Sequence, residues 1–237
     1  MERRSFLRTS AAATGAAALG SLATSAAWAA PGPKRKGPLR VQILMFEGVE
    51  VQDFAGPLEV LGLVQSGGGP MRVTLVKPGA PGQVVCALGL KVDVATTWNP
   101  TAADVLVVPG GGGLDNRPGI NTLIKDKQVL ANVVRAYKAG VIMTGVCSGV
   151  MLLSAAGLTR GRPCTTHSAS KAALAAQGGK VVNARVVDDG DLITSGGITS
   201  GLDLGLWLVT RELGADISIQ VEAAMEYEQR GVVWRRS

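Results

Sequence analysis

The chain has 237 residues, 46% of them hydrophobic and 18% charged, enough to bury one sizeable core, which excludes a disordered or fibrous protein. One His and three Cys make neither a tetrahedral zinc site nor a disulfide framework. The net charge of +6 invites a nucleic-acid reading, but ten of the 24 basic residues fall at positions 3–8, 34–40 and 230–236. Residues 41–229 hold 14 basic against 17 acidic residues, a net −3, so nucleic acid is not expected as a partner.

Arg3-Arg4 precede Ser5-Phe6-Leu7, a soft Ala/Gly/Thr run follows to Trp28, and Ala27-Trp28-Ala29 is a small-x-small cleavage site. Residues 1–29 resemble a twin-arginine signal, which implies recognition by the twin-arginine export machinery and a periplasmic or otherwise exported mature protein. The run is Ala-rich and broken by Gly15 and Gly20, too weakly apolar for a stable membrane anchor. Residues 30–38 read as a Pro/Gly/basic linker, and 39–237 as one domain.

From Leu39, apolar runs alternate with helical spacing. Buried strands are predicted at 39–46, 71–76, 104–108 and 141–146, with a strand pair around Gly89 and short strands at 181–187 and 192–195. Helices are predicted at 53–65, 121–139, 148–156, 168–176 and 199–213. The alternation implies an α/β fold: a mostly parallel central sheet covered on both faces, with functional groups at the carboxyl ends of its strands.

The most specific feature is Gly145-Val146-Cys147-Ser148-Gly149, between a buried strand and an apolar helix. This G-x-C-x-G pattern is the thiol counterpart of a nucleophile elbow: the turn strains the nucleophile and the glycines permit close packing. A helix N-terminus beneath the sulfur predicts a thiolate at neutral pH. The alternative is a buried Cys acting as a small hydrophobe. The second Gly-rich turn, Pro109 to Gly113, can supply the N–H groups of Gly110 and Gly111, with that of Ser148, as an oxyanion hole; a phosphate cradle or a plain structural turn are the alternatives. Asp53 begins a helix at the end of a strand, as an N-cap or as a catalytic carboxylate. Glu47 and Glu50 read as a solvated rim, and Cys86 and Cys164 as buried free thiols rather than a disulfide.

Five stretches resemble the ThiJ/PfpI superfamily, the class I glutamine-amidotransferase-like fold, and within it the isonitrile hydratase branch. They are D-F-x-G-P-x-E-V from Asp53, Pro109-Gly110-Gly111, the Cys147 elbow, Thr165-Thr166-His167, and Gly196-Gly197-Ile198-Thr199-Ser200-Gly201. The resemblance implies a flavodoxin-like three-layer sandwich, a homodimer, and a small-molecule substrate. It gives no cofactor, and it casts Cys147 as nucleophile with Asp53 as its acid/base partner. Ser148 replaces the His that follows the nucleophile in peptidase-like members and keeps the hydroxyl of the Thr typical of the hydratases. No His follows His167, which argues against ammonia transfer. Thr166 and His167 are placed beside the substrate, His167 either orienting it or serving the structure. The expectation is a cysteine-dependent hydratase or hydrolase. A non-catalytic ligand-sensing module, or a redox and carbonyl-stress protein acting through Cys147, are the alternatives.

Overall fold

The computed structural model of the chain describes residues 37–112 and 118–236; the leader, nearly all of the linker, residues 113–117 and residue 237 lie outside the described residues. In chain order the elements are β1 (Leu39–Leu44), α1 (Val51–Ser66), β2 (Met71–Lys77), β3 (Gly82–Val85), β4 (Lys91–Val94), β5 (Thr96–Thr97) and β6 (Val105–Val108). They continue as α2 (Ile120–Lys125), α3 (Lys127–Lys138), β7 (Ile142–Gly145), α4 (Val150–Ala155), β8 (Pro163–Cys164), α5 (Lys171–Ala176) and β9 (Lys180–Val181). The last are β10 (Val186–Asp188), β11 (Leu192–Ser195), α6 (Ser200–Leu213), α7 (Ala215–Met225) and β12 (Trp234–Arg235).

Eight strands form one sheet in the order β12-β10-β11-β7-β6-β1-β2-β5, parallel throughout except between β10 and β11. Every residue of β6 and β11 is buried, as continuous apolar runs demand when both faces of a sheet are covered. Helices α1, α6 and α7 pack on one another, as do α2, α3 and α4, which completes the expected three-layer α/β sandwich. No helix among the described residues is long and apolar enough to cross a membrane.

Glycine spacing sets the fit of α1 on α6. A Cβ on Gly201 would stand 3.1 Å from Cδ of Pro57, and one on Gly205 2.9 Å from Cβ of Val60. Four residues apart, the two glycines lie on one side of α6, so α1 lies closer than larger residues would allow. This brings the start of α1, with Asp53, toward the end of β7.

Some expectations need correction. The single helix over 121–139 is two, because Asp126 is extended and its Oδ1 accepts from the N–H groups of Gln128 (2.8 Å) and Val129 (3.1 Å), capping α3. The strand over 181–187 is two short strands: β9 pairs with β8 in a separate ribbon, and β10 joins the main sheet. The helix after the elbow starts later, with a 3₁₀ turn at Cys147–Gly149 and α4 only from Val150. Helix α7 and strand β12 were not predicted. Strand β12 is too short to show a period; an Arg236 to Asp189 ion pair at 2.6 Å and Arg235 over the Trp207 ring at 5.5 Å hold it.

Candidate active site

Strands β6 and β7 run parallel, so the turns that follow them lie side by side at the carboxyl edge. Cys147 sits in the second turn with φ 56°, a left-handed conformation that a non-glycine residue holds only when its surroundings fix it. The fixing groups are identifiable. Its N–H donates to Gly196 O (2.9 Å), and its carbonyl accepts from Thr166 Oγ1 (2.7 Å), with Thr166 fully buried. A Cβ on Gly149 would collide with the carbonyls of Val108 and Pro109, and one on Gly145 would lie 2.8 Å from Cγ2 of Val150. The elbow glycines are thus required by sterics at both ends of the turn.

Asp53 is fully buried. Its Oδ2 accepts the Gly110 N–H at 2.9 Å, while Oδ1 closes no hydrogen bond of ordinary geometry. Gly111 N–H donates to Ser148 Oγ at 3.0 Å. A Cβ on Gly110 would stand 2.5 Å from Ser148 Oγ and 2.7 Å from Asp53 Oδ2, so only glycine lets both side chains converge there. The expected oxyanion role of Gly110 and Gly111 is corrected accordingly: both N–H groups are already committed, one to the carboxyl and one to the hydroxyl.

Burial pushes the Asp53 carboxyl up to about 7; the Gly110 N–H, the Cys147 thiol and the Ile198 N–H pull the other way, and the Glu50 charge adds to the rise. Burial and then the Asp53 charge push the Cys147 thiol up to about 12, against the N–H groups of Ile198 and Ser148. The structure works against the expected thiolate: Cys147 is 8% exposed, a short 3₁₀ turn rather than a long helix underlies it, and a buried carboxyl is its neighbour, so its surroundings raise the thiol rather than lower it.

The thiol opens on a cavity of about 430 Å³ whose lining includes Glu50, Leu88, Ser148, Met151, His167 and Ile198. His167 lies in the wall; its Nδ1 accepts the Ala169 N–H (3.2 Å), and its ring packs where a Cβ on Gly197 would stand. No hydrogen bond joins it to Cys147 or Asp53 among the described residues. Glu47 is exposed, as a rim residue should be, and its Oε2 accepts from Val85 N–H (3.1 Å). Glu50 is half-buried and lines the cavity, so the rim reading fails for it. Cys86 and Cys164 are both free and buried.

Sequence reasoning missed Ile198, whose N–H acts on both the thiol and the carboxyl and whose φ is 46°. The signal was Gly196-Gly197 just before it, a run that marks an irregular turn. It also missed Ala87 and Leu88, which reach the cavity from the tip of the β3–β4 hairpin.

The sequence model of the DJ-1/PfpI family matches residues 39–211. The chain belongs to this family. Isonitrile hydratase of Pseudomonas putida is 35% identical over 191 residues, 80% of this chain and 78% of that one. The Parkinson disease protein 7 homolog of Danio rerio is 30% identical over 127 residues, 52% of this chain and 62% of that protein. Among solved structures, a ThiJ/PfpI family protein from Pseudomonas syringae superposes with a TM-score of 0.73 at 29% identity, covering 82% of this chain and 77% of its own. In this DJ-1/PfpI chain the D-F-x-G-P stretch, the Gly-rich turn, the elbow and Thr166-His167 all gather around one thiol.

Proposed function

We propose that the protein is a cysteine-dependent hydratase of the isonitrile hydratase type, converting an isonitrile and water to an N-substituted formamide. One observation carries this reading: a fully buried carboxyl with one oxygen fixed by Gly110 N–H, poised near neutrality beside the elbow thiol. The similarity to isonitrile hydratase supports the choice of substrate class.

Ionised Asp53 takes the thiol proton as the sulfur bonds to the terminal isonitrile carbon, and the proton passes to that carbon. The product of this half-reaction is a thioimidate, R–N=CH–S–Cys147. Water, deprotonated by Asp53, then adds to the same carbon while the nitrogen gains a proton. Collapse of the tetrahedral adduct forms the C=O bond, breaks the C–S bond and returns a proton to sulfur through Asp53, releasing R–NH–CHO. The N–H groups of Ile198 and Ser148 stabilise negative charge on the sulfur as it forms and leaves. The Ser148 hydroxyl, held as acceptor by Gly111 N–H, gives its proton to the substrate nitrogen as water adds and regains one from the carbinol O–H as the adduct collapses, while the proton Asp53 took from water goes to the departing sulfur.

The test is steady-state formation of formamide from cyclohexyl isocyanide by residues 30–237. Turnover is expected for wild type and none for Cys147→Ala; equal rates would sink the proposal, and binding without product would assign a ligand-sensing module instead. The burial of Cys147 and the raised pKa of its thiol favour hydration over the redox alternative, which needs an accessible thiolate.

The leader is proposed to direct export, on the strength of Arg3-Arg4 and Ala27-Trp28-Ala29. Retention in the cytoplasm of a chain carrying Lys at both positions 3 and 4 is the expected result. A homodimer is proposed from the family resemblance, and light scattering on the mature chain checks it.

A further inference from the structure

Four described non-glycine residues have positive φ: Leu88, Cys147, Ile198 and Glu226. The first three line the same cavity. Such conformations persist where the surroundings over-determine them, and they gather at functional sites.

For Leu88 the mount is visible. Gly48 N–H donates to Val85 O (2.8 Å), Ala87 N–H to Val49 O (2.8 Å) and Val85 N–H to Glu47 Oε2 (3.1 Å), which ties the β3–β4 hairpin to the loop ahead of α1. Across the hairpin, Cys86 N–H donates to Leu90 O (2.7 Å). The tip is thus rigidly held, yet Leu88 is 85% exposed. The core gains almost nothing from it, and its backbone would suit Gly or Asn better than a leucine. Ile198, at the turn before α6, is 42% exposed and faces the same space, where Met151 and Ile120 extend the apolar wall. Glu50 is the single Asp, Glu, Lys or Arg among the described lining residues.

We infer that this cavity selects neutral electrophiles bearing an apolar group, with Leu88 and Glu50 as its specificity-determining residues. A bound apolar group covers the exposed faces of Leu88 and Ile198, which repays a leucine that the fold itself does not use. A negatively charged ligand meets the Glu50 carboxylate in the cavity lining. The volume admits about a dozen non-hydrogen atoms, enough for a cyclic or branched hydrocarbon beside the reacting carbon. The inference rests on the reading of Cys147 as the reacting group and adds what the substrate must look like.

The test is alkylation of Cys147 in the mature chain, located by peptide mass spectrometry, with each rate divided by that of free glutathione. Within each pair of reagents the thiol is the same, so its ionisation cancels. Wild type is expected to favour N-cyclohexylmaleimide over N-ethylmaleimide about fivefold, as about 40 Å² of extra apolar contact implies. Leu88→Ser is expected to bring that ratio to about one. Iodoacetamide is expected to outpace iodoacetate about tenfold in wild type, with a clearly smaller ratio in Glu50→Gln, the remainder coming from the Asp53 charge beside the sulfur. An unchanged maleimide ratio in Leu88→Ser, or equal rates for the two iodo reagents in wild type, overturns the inference. So does a selectivity lost together with a change in oligomeric mass, because Leu88 would then act through a subunit contact. Alkylation asks nothing of hydration chemistry, so a failure here and an absence of isonitrile turnover are read separately.

Discussion

Replacing Asp53 by Asn separates what the carboxyl does for catalysis from what its burial costs the fold. Burial lifts the group from 3.8 to about 7. A folded-state pKa above the unfolded one means the native chain holds the proton more tightly. Its contribution to stability is then complete below about pH 4 and is lost as pH rises through 7. Over that interval of about 3 pH units, the ionised, buried carboxylate costs on the order of 4 kcal/mol at pH 8. An Asn at position 53 still offers an oxygen to Gly110 N–H but brings an NH₂ group that the site does not satisfy, which offsets part of the gain. The net expectation is a stabilisation of about 2–3 kcal/mol at pH 8 that turns into a destabilisation of about 1–2 kcal/mol at pH 4, where only the cost of the unsatisfied NH₂ remains. For a chain of this size that is a rise in Tm of roughly 4–12 °C at pH 8. Turnover is expected to fall by about 10²- to 10⁴-fold, the usual worth of a general base. Thermal melts of both proteins at pH 4, 6 and 8, with formamide assays alongside, decide the matter. Parallel melting curves at all three pH values would refute the buried-carboxylate assignment, and full turnover by the Asn variant would refute the base.

The same carboxyl sets the pH dependence of the reaction: kcat/KM should rise with pH through about 7 as Asp53 ionises, and the step should vanish in Asp53→Asn, whose residual rate is measured across pH 5–9. Gly110→Ala is expected to abolish turnover, since its methyl displaces both Asp53 and Ser148, whereas Gly149→Ala is expected to lower folding stability as well, by about 3 kcal/mol in denaturant unfolding, because its methyl meets backbone carbonyls that cannot yield. Thr166→Val leaves the buried Cys147 carbonyl without its donor; a loss of about 1–3 kcal/mol in denaturant unfolding and a fall in kcat larger than any rise in KM are expected. Under mild peroxide, intact mass should show Cys147 oxidising no faster than free glutathione at pH 7, and rapid formation of a single sulfinic species would restore the redox reading.

The elbow was legible in the sequence because its requirements are local: a strand, a sharp turn and two glycines whose missing side chains make room. Asp53 was legible for a similar reason, as a carboxylate at a strand-to-helix junction. The ionisation of Cys147 was not, because burial and the approach of Asp53 come from segments nearly a hundred residues apart. The same holds for Gly110 and Gly111, whose N–H groups looked free in the sequence and are taken by side chains from α1 and the elbow. Leu88 carried no signal, since an exposed leucine at a hairpin tip gains meaning only from what stands across the cavity. The break at Asp126 had a signal that the periodicity of 121–139 outweighed: an Asp three residues before an apolar position is an N-cap in waiting.

Gly201 and Gly205 fix how far α1 stands from α6, and α1 carries the base. Ile198, two residues ahead of α6, carries the N–H that acts on the sulfur. The alignment of acid and nucleophile therefore depends on two methyl groups that are absent. This sets a boundary for anyone hardening the scaffold against heat. Exchanging a helical glycine for alanine adds about 1 kcal/mol in most proteins and is among the first substitutions tried. At position 205 the added carbon would wedge against Val60 and tilt the base away from its thiol, so a variant bred for endurance alone would drift from one bred for turnover.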